Sequence, residues 1–403
     1  MRLERNFVLH LVLAGVVLGV WTTIAAQTDQ SVVPKVESHE DEVAEIIIPK
    51  WTADLRAAIG STPLGLVVGQ GRETHLQPKV SLWFSDENTI IATFVIAKEG
   101  QPILSKRNVS DASLPLRLCG IFLDAETGTV TATRAWPTNS RLAGIVAAHE
   151  GKFVAQTGLQ LTLYSAELKE LKNLKLPQTE DIWAAHPSPT GRNILFIATN
   201  LRTRSAVPWI WVDADNLEVV HSWEEPQSGY VSISDNSIAM TKCVWFYDRQ
   251  PAVEVRALPA EWKVVTGASR VNKPRPQFVA ENVLFLLGNP SSLLQTDGKI
   301  LFGRSASSGG CWSAGTYPSA DGRRFVVPSC RLLDHVALLD LGGTTQLTKF
   351  LVYDAPFHGL SNTLQVKWPK IKEPATLALS PNGAKLAVLS GEMMYVFQLP
   401  PQT

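Results

Sequence analysis

The chain has 403 residues, and its 37 basic and 37 acidic side chains give a formal net charge of zero. Nucleic-acid binding depends on a basic surface that neutralises phosphates. The charge balance, with no block rich in lysine and arginine, therefore argues against a nucleic-acid partner. Twelve tryptophans and an aromatic content of 8% supply enough apolar bulk for a well-packed core.

The amino-terminal residues have the pattern of a secretory signal. Arg2 and Arg5 precede an apolar run that starts at Phe7 and ends in the small residues of 23–26. We therefore expect residues 1–26 to be a signal peptide and the mature protein to be exported, either periplasmic or secreted. The apolar run is about 20 residues long, which is also enough to span a bilayer. An uncleaved signal anchor is the alternative, and it is the one membrane contact that the sequence offers.

Residues 27–79 form an extension ahead of the repeats. The extension starts with a polar, acidic stretch and contains two strand-like segments, Glu45–Pro49 and Leu64–Val68. Between them, Trp51–Ile59 is bounded by a proline and a glycine, a pattern that favours a short helix.

One unit recurs over residues 80–400: an apolar strand, a turn rich in Ser, Pro, Asp, Asn or Gly, and a second apolar strand. Its turn residues are Asn88, Gly151, Gly191, Asn236, Asn282, Gly322 and Gly383. They follow one another at intervals of 63, 40, 45, 46, 40 and 61 residues, mostly close to the roughly 40–45 residues of a four-stranded propeller blade. The two long intervals contain apparent insertions, Lys98–Pro115 and Tyr353–Pro374. Glycine and asparagine tolerate the positive φ that a tight hairpin needs.

A second hairpin follows the first in most units, most clearly at residues 120–133, 161–176, 209–220 and 336–347. Two hairpins in each unit make four strands. The sequence therefore predicts an all-β fold, a single β-propeller of seven four-stranded blades over residues 80–400.

The carboxyl end predicts how the ring closes. The last unit supplies three strands, Thr376–Ser380, Lys385–Ser390 and Met394–Leu399, before two prolines end the pattern. Because an unpaired sheet edge is a liability, another segment has to complete this blade. We expect either Glu45–Pro49 or Leu64–Val68 to be its outer strand and to lock the ring.

Three segments carry a family resemblance. Leu379–Val388 reads Leu-Ser-Pro-Asn-Gly-Ala-Lys-Leu-Ala-Val, His186–Gly191 reads His-Pro-Ser-Pro-Thr-Gly, and Trp211–Asn216 reads Trp-Val-Asp-Ala-Asp-Asn. From Val80 to Leu399 the chain resembles the superfamily of exported bacterial WD40-like and YVTN-type β-propellers. The resemblance implies the fold and no particular activity. The Gly-His and Trp-Asp dipeptides of WD40 repeats are missing.

Two of the four cysteines predict a disulfide. Cys311 and Cys330 flank the turn Pro318–Gly322, and their midpoint falls inside that turn. If the two strands pair without a bulge, the Cβ atoms lie about 4.5–5.5 Å apart, close enough for a bridge after a slight adjustment. Closing a loop of about 20 residues would contribute on the order of 3 kcal/mol. The alternative is two buried free thiols, which is what we expect for Cys119 and Cys243.

His149 and His186 are the candidate metal ligands, because each follows Ala-Ala at the end of an inner strand in neighbouring blades. A zinc site needs three or four ligands and a supporting shell. Nearby, the sequence adds only Glu150 and Asp181, so a histidine in a turn without metal is the simpler interpretation.

Catalytic and cofactor motifs are not recognised in the sequence, and we expect no cofactor. Ser307–Ser313 lacks the Gly-x-Ser-x-Gly spacing of a nucleophile elbow, and Gly69–Gly71 lacks the third glycine of a dinucleotide loop. The carboxylate pairs Asp213/Asp215 and Asp124/Glu126 occupy hairpin turns, where aspartate is favoured for its hydrogen bonds to the backbone.

Four tryptophans lie in predicted strands and are expected to pack the blades: Trp83, Trp209, Trp211 and Trp245.

These observations favour a non-catalytic binding or scaffolding module outside the cytoplasm, with a protein or envelope partner. The insertions Lys98–Pro115 and Tyr353–Pro374 are the expected contact surface, the second through Phe357-His358 and Trp368-Pro369. The alternative is an enzyme of the lactonase, lyase or quinoprotein type, with its site at the mouth of the central channel.

Overall fold

The strands of a computed structural model of this chain form seven separate sheets. The structure describes residues 44–60, 80–97, 116–138, 143–177, 182–199, 206–226, 229–242, 252–258, 261–265, 272–289, 291–304, 315–332, 345–366, 371–372 and 375–402. Two strands and a helix precede the repeats: β1 (Glu45–Ile47), β2 (Trp51–Asp54) and α1 (Arg56–Ile59). In the described ranges, no helix is both long enough and apolar enough to cross a membrane.

Each sheet is one blade, and its strands follow in chain order from the inner edge outwards. Blade 1 holds β3 (Ser81–Phe84), β4 (Thr89–Ala97), β5 (Leu116–Asp124) and β6 (Val130–Thr138). Blade 2 holds β7 (Gly144–His149), β8 (Lys152–Thr157), β9 (Gln160–Tyr164) and β10 (Glu170–Lys175). Blade 3 holds β11 (Ile182–Pro187), β12 (Asn193–Thr199), β13 (Ala206–Asp213) and β14 (Glu218–Pro226). Blade 4 holds β15 (Val231–Ile233), β16 (Ser237–Lys242), β17 (Ala252–Ala257) and β18 (Lys263–Val264).

The remaining blades complete the ring. Blade 5 holds β19 (Asn272–Ala280), β20 (Val283–Asn289), β21 (Ser291–Gln295) and β22 (Ile300–Arg304). Blade 6 holds β23 (Tyr317–Pro318), β24 (Arg324–Leu332), β25 (Thr345–Asp354), β26 (Asn362–Val366) and β27 (Ile371–Lys372). Blade 7 holds β28 (Ala375–Leu379), β29 (Lys385–Ser390) and β30 (Met393–Gln398). The first strand of each blade contacts the first strand of the next, and β28 of the last blade contacts β3 of the first. The predicted seven-bladed propeller is confirmed.

The seven predicted turn residues all lie between the first and second strands of their blades. The four glycines have positive φ, as expected. The three asparagines are not among the described residues with positive φ, so the reason given for them was wrong. Side chains stabilise two of these turns instead: Asp86 accepts the Asn88 N–H at 2.7 Å, and Ser234 Oγ accepts the Asn236 N–H at 3.3 Å.

The outer strands share an irregularity in four blades. A register shift leaves one residue of the outer strand unpaired near its start in blades 1, 2, 3 and 5. The unpaired residues are Thr131, Leu171, Val220 and Leu301. Such bulges increase the local twist and make an edge strand a poorer template for pairing with another chain.

A segment of the extension closes the ring, but not the segment predicted. β2 pairs antiparallel with β30, from Trp51 opposite Val396 to Asp54 opposite Met393, and becomes the outer strand of blade 7. The first predicted donor, Glu45–Pro49, contributes β1, which pairs in parallel with β26 of blade 6. Leu64–Val68 lies outside the described residues.

The helix predicted over Trp51–Ile59 is correct only over Arg56–Ile59. Residues 51–54 alternate between half-buried and exposed, and the free edge of β30 supplies their backbone hydrogen bonds. A tertiary partner therefore overrides the local helical preference.

The predicted insertion Tyr353–Pro374 is not a free loop. It contains β26 and β27, which both pair with β25 at the outer side of blade 6. Phe357, expected to be exposed, is only 4% exposed and packs on Phe325 with ring centroids 5.5 Å apart. Of the hairpin predicted at 336–347, residues 336–344 lie outside the described residues, and the last three belong to β25, which pairs with β24 as the third strand. Trp368-Pro369 and Lys98–Pro115 lie outside the described residues.

A buried ion pair of blade 6 also contacts blade 7. The Arg324 and Asp354 side chains are 1% and 2% exposed and form two parallel hydrogen bonds, of which Nη2 to Oδ2 measures 2.9 Å. Arg324 Nη1 also donates to the carbonyl oxygens of Gly383, at 3.0 Å, and Pro400, at 2.8 Å. The Arg324 guanidinium therefore joins β24 and β25 of blade 6 to the Gly383 turn of blade 7 and to the chain that follows β30.

We predict that Arg324→Met destabilises the propeller by about 3–5 kcal/mol, because it leaves the Asp354 carboxylate buried without a partner. The matched control is Lys172→Met, which removes the exposed Lys172–Glu218 ion pair and should cost less than about 1 kcal/mol. The free energy of unfolding in urea measures both. Equal costs for the two variants would contradict the proposed role of Arg324.

Candidate functional site

The turns between the first and second strands, together with those between the third and fourth strands, lie around one end of the channel, and we call this ring of turns the rim. In an antiparallel blade, the turn between the third and fourth strands lies at the same end. Both sets of turns therefore bring side chains from different blades to one face.

Hydrogen bonds join the rim turns of neighbouring blades. The Gly151 N–H donates to the Ser85 carbonyl at 2.8 Å, which joins blades 1 and 2. Thr190 Oγ1 donates to Asp235 at 2.6 Å, and the Asp235 N–H donates to Glu281 at 3.1 Å, so blade 4 is tied to both its neighbours.

The same kind of contact joins blade 6 to blade 7 and then crosses the point where the ring closes, from blade 7 to blade 1. The Asp321 N–H donates to the Pro381 carbonyl at 3.1 Å, and the Asn382 N–H donates to Glu87 Oε1 at 2.7 Å. Lys385 Nζ donates to the Glu87 carbonyl at 3.2 Å. Backbone groups take part at the junctions of blades 1 and 2, 4 and 5, 6 and 7, and 7 and 1, so these turns hold their exposed side chains on a backbone with little freedom.

Ionisable side chains lie beside a small recess at the junction of blades 2 and 3. Arg192 Nε donates to His149 Nε2 at 2.9 Å, and Arg192 Nη2 lies 3.3 Å from Glu150 Oε1. The recess beside them has a volume of about 10 Å³, and its ionisable lining residues are His149, Lys152 and Asp215. That is roughly room for the centre of one water molecule.

Gly191 sets how closely blades 2 and 3 approach. Its φ is +78°, and a Cβ atom at this position would lie 2.3 Å from the Ala148 carbonyl oxygen. The neighbouring atom is backbone and cannot turn away, so only glycine fits here.

Burial and nearby charges shift the pKa values of two carboxyl groups of the rim, those of Glu87 and Glu150. Burial, followed by the neighbouring Asp321 and Asp86, raises the pKa of Glu87 above its usual value. The charge of His149 and the hydrogen bond from Arg192 lower the pKa of Glu150. Exposed acids on this face are therefore held as anions, while Glu87 takes a proton more readily.

The histidines predicted as metal candidates lie on neighbouring inner strands, as expected. His149 ends β7 and His186 is part of β11. Arg192 Nε donates to His149 Nε2, one of the two ring nitrogens through which a histidine can bind a metal. Over the described ranges, no three His, Cys, Asp or Glu side chains form a group that could hold a metal ion. The interpretation of His149 and His186 as histidines without a metal stays a prediction.

The carboxylate pairs have the turn role predicted for them. Asp124 Oδ1 accepts the backbone N–H groups of Glu126 and Thr127 at 2.9 and 2.7 Å. Asp213 Oδ1 accepts the Asp215 N–H at 2.8 Å. These hydrogen bonds are sufficient to explain the acids at both turns.

The packing role of the tryptophans is confirmed for those that the structure describes. Trp209 and Trp211 are 0% and 3% exposed. Trp83 is half-buried and donates its indole N–H to the Ile145 carbonyl at 3.0 Å, across blades 1 and 2. Trp245 lies outside the described residues, as do Ser307–Ser313 and Gly69–Gly71.

Of the cysteines, Cys119 is a buried free thiol as predicted, and burial raises the pKa of its sulfur. Cys311, Cys243 and the side chain of Cys330 lie outside the described residues. The disulfide therefore stays a prediction.

The sequence did not identify Arg192 or Lys385 as rim contacts. Each follows its turn glycine closely, at the start of the second strand. A basic residue there is common enough to give no signal, because its partner comes from another blade.

Comparison with known proteins supports the propeller fold and assigns the chain to no particular family. No family model matches the chain, and no curated protein matches it. Hsv2 of Kluyveromyces marxianus is similar with a TM-score of 0.50 and 9% identity, over 84% of this chain and 93% of that one. A chain of the mitotic checkpoint complex is similar with a TM-score of 0.49 and 10% identity, over 93% of this chain and 100% of that one. The β-propeller domain of the trilobed protease from Pyrococcus furiosus is similar with a TM-score of 0.46 and 9% identity, over 80% of this chain and 95% of that one.

Seven-bladed β-propeller is therefore the class that the strand order and the closed ring define. At about 9% identity, a structural likeness shows the fold alone. Function has to be argued from the rim.

We predict that Gly191→Ala costs more than about 3 kcal/mol, in the upper range for single substitutions, because the new Cβ meets the Ala148 carbonyl. Gly391→Ala is the matched control: its φ is also positive, at +62°, but nothing lies within 4 Å of the added atom. It should cost only the left-handed strain of about 1–2 kcal/mol. Unfolding in urea measures both, and equal losses would show that the approach of blades 2 and 3 has no special role.

We predict that Cys311 and Cys330 are joined in the purified protein. Alkylation of the denatured, unreduced chain should then label only Cys119 and Cys243, and labelling after reduction should reach all four. Peptide mass spectrometry identifies the sites. Labelling of four cysteines before reduction would establish free thiols instead.

Proposed function

We propose that this propeller is a non-catalytic binding or scaffolding module that acts outside the cytoplasm on a protein or envelope partner. The observation that carries the proposal is the hydrogen-bonded rim, which fixes side chains from different blades on one face. In propellers, function lies in such loops and turns rather than in the strands.

The rim has the properties that favour binding without rearrangement. The side chains of Glu126, Glu150 and Arg192 are 56%, 65% and 52% exposed, while their turns are held by backbone hydrogen bonds. A surface fixed before contact loses little conformational entropy on binding. Interspersed charges of both signs add specificity and raise association rates.

The sequence supports two parts of this proposal, the location outside the cytoplasm and the resemblance to exported bacterial propellers. Residues 1–26 have the signal pattern, and the resemblance is to exported bacterial propellers. Any membrane contact would be through an uncleaved signal anchor. A neutral formal charge supports a partner other than nucleic acid.

The enzyme alternative needs polar groups that converge at the channel mouth. The arrangement closest to that is His149 beside Glu150, and Arg192 occupies the His149 nitrogen that a general base would use. This geometry favours a contact between blades over a catalytic pair.

The partner is tested by capture from envelope extract with immobilised full-length protein. We predict a partner that is retained by the wild type and lost with the rim variant Glu150→Lys, Glu167→Lys. The control variant Glu45→Lys, Glu224→Lys carries the same change of charge on exposed residues of outer strands. Equal retention by both variants would argue against the rim as the binding surface.

Elemental analysis of the same preparation, dialysed without chelator, tests the alternative. A stoichiometric metal would favour the enzyme, with His149 and His186 as the first ligands to mutate. Amino-terminal sequencing tests export, since cleavage should leave a chain that starts near Gln27.

A further inference from the structure

Blade 6 carries an additional strand at the outer edge of its sheet, because β1 pairs in parallel with β26. The three residues Glu45–Ile47 lie opposite Leu364–Val366. β26 has five residues, and among the described residues Asn362 and Thr363 have no partner on this edge. Parallel pairs are slightly less stable per residue than antiparallel pairs. β1 is therefore a short strand that covers only part of the edge.

The contact of β1 with the propeller core consists of one side chain. Ile47 is 7% exposed and belongs to an apolar cluster with Val366 of blade 6 and Leu377 of blade 7. Its neighbours Ile46 and Ile48 are 54% and 68% exposed. The edge of β26 therefore selects one β-branched apolar side chain, and the backbone pairing supplies the remaining contact.

The edge of β26 is suited to an added strand. The outer strands of blades 1, 2, 3 and 5 have register shifts, whereas β26 pairs with β25 without one. A regular edge strand is a template for another segment. Within the described part of the chain, the buried side-chain Nδ2 of Asn362 also has no hydrogen-bond partner. Buried polar groups are normally paired, so β26 has an unmet hydrogen-bonding group at the end that β1 leaves open.

Ring closure does not depend on β1. β2 pairs with β30 on its own, and Trp51 of β2 donates its indole N–H to blade 1 at 3.1 Å. Leu55 and Ile59 are buried in a cluster shared with blades 1 and 7. Ile48 and Pro49 join β1 to β2, and proline has no N–H with which to continue the pairing. β1 can therefore leave β26 while blade 7 keeps its outer strand.

We propose that the edge of β26 is a docking site for an extended peptide segment of a partner protein, and that β1 occupies this edge until such a segment replaces it. The segment pairs in parallel with all five residues of β26 and places a β-branched apolar side chain where Ile47 lies. In recognition by strand addition, main-chain hydrogen bonds give affinity and side-chain pockets give specificity.

The length of the edge favours a partner over a second copy of this chain. A second copy would offer the same β1 and gain nothing over the pairing that already exists. A longer segment gains pairs with Asn362 and Thr363 as well. The site is on the outer side of blade 6, so it does not require the rim to be a binding surface.

A labelled peptide with the sequence of residues 43–50 tests the site in the full-length protein, because it is long enough to pair with all of β26. In the wild type, β1 competes at an effective concentration of about a millimolar, and the peptide should bind weakly. Ile47→Asp puts a charge at the buried position and releases β1, so the affinity of the peptide should rise roughly tenfold or more. The matched control Ile46→Asp changes an exposed side chain and should bind as the wild type does. Fluorescence anisotropy measures all three.

Hydrogen exchange locates the binding. In Ile47→Asp, the protection of peptides that cover 362–366 should fall, and it should return when the labelled peptide is added. Peptides that cover β30 should keep their protection in both variants, because β2 stays in place. A shorter peptide, residues 45–50, should bind several-fold more weakly than residues 43–50, because it leaves Asn362 and Thr363 unpaired.

Equal affinity of the peptide for the wild type and for Ile47→Asp would overturn the proposal. Loss of protection throughout blades 6 and 7 in that variant would also overturn it, because β1 would then be an inseparable part of the fold. Dimers of the wild type that the peptide dissociates would make a second copy the occupant instead of a partner. None of these results bears on the rim, which the variant Glu150→Lys, Glu167→Lys tests separately.

Discussion

Closure of the ring is the constraint on which the other features of this molecule depend. Seven sheets placed side by side leave a seam between the last and the first, and blade 7 has only three strands from the carboxyl end of the chain. Residues 45–59, which we call the strap, supply the fourth. The strap also pairs with blade 6 through β1 and reaches blade 1 through Trp51, whose indole N–H donates to the Ala125 carbonyl at 3.1 Å.

The strap is anchored by packing as well as by strand pairing. Leu55 and Ile59 are 0% and 5% exposed and belong to a core cluster shared with blades 1 and 7. The Trp51 ring covers Gly128, where a Cβ would lie 2.6 Å from it. One short segment thus stabilises the three blades around the seam, and the rim can be continuous only because the seam is closed.

Local patterns were predictable from the sequence, and partners distant in the chain were not. The turn at Gly383 could be found because a strand, a Ser-Pro-Asn-Gly turn and a second strand are all encoded within a few residues. The strand at Trp51–Asp54 could not, because its conformation depends on a free edge some 340 residues away in the chain. Arg324 and Asp354 give no sequence signal for the same reason: only the fold brings them to 2.9 Å. Arg192 of the candidate site was missed likewise.

The joints between blades differ in chemistry, and this difference bears on function. Between blades 6 and 7, the joint is a buried arginine–aspartate pair of blade 6 that also binds two carbonyl oxygens of blade 7, and breaking it would leave a charge without solvent. Between blades 2 and 3, the joint is an exposed arginine on a histidine, where water replaces the contact when it is lost. A propeller that has to stay closed can give up a contact of the second kind without risk to the first. Adjustment of the rim is therefore expected between blades 2 and 3 rather than between blades 6 and 7.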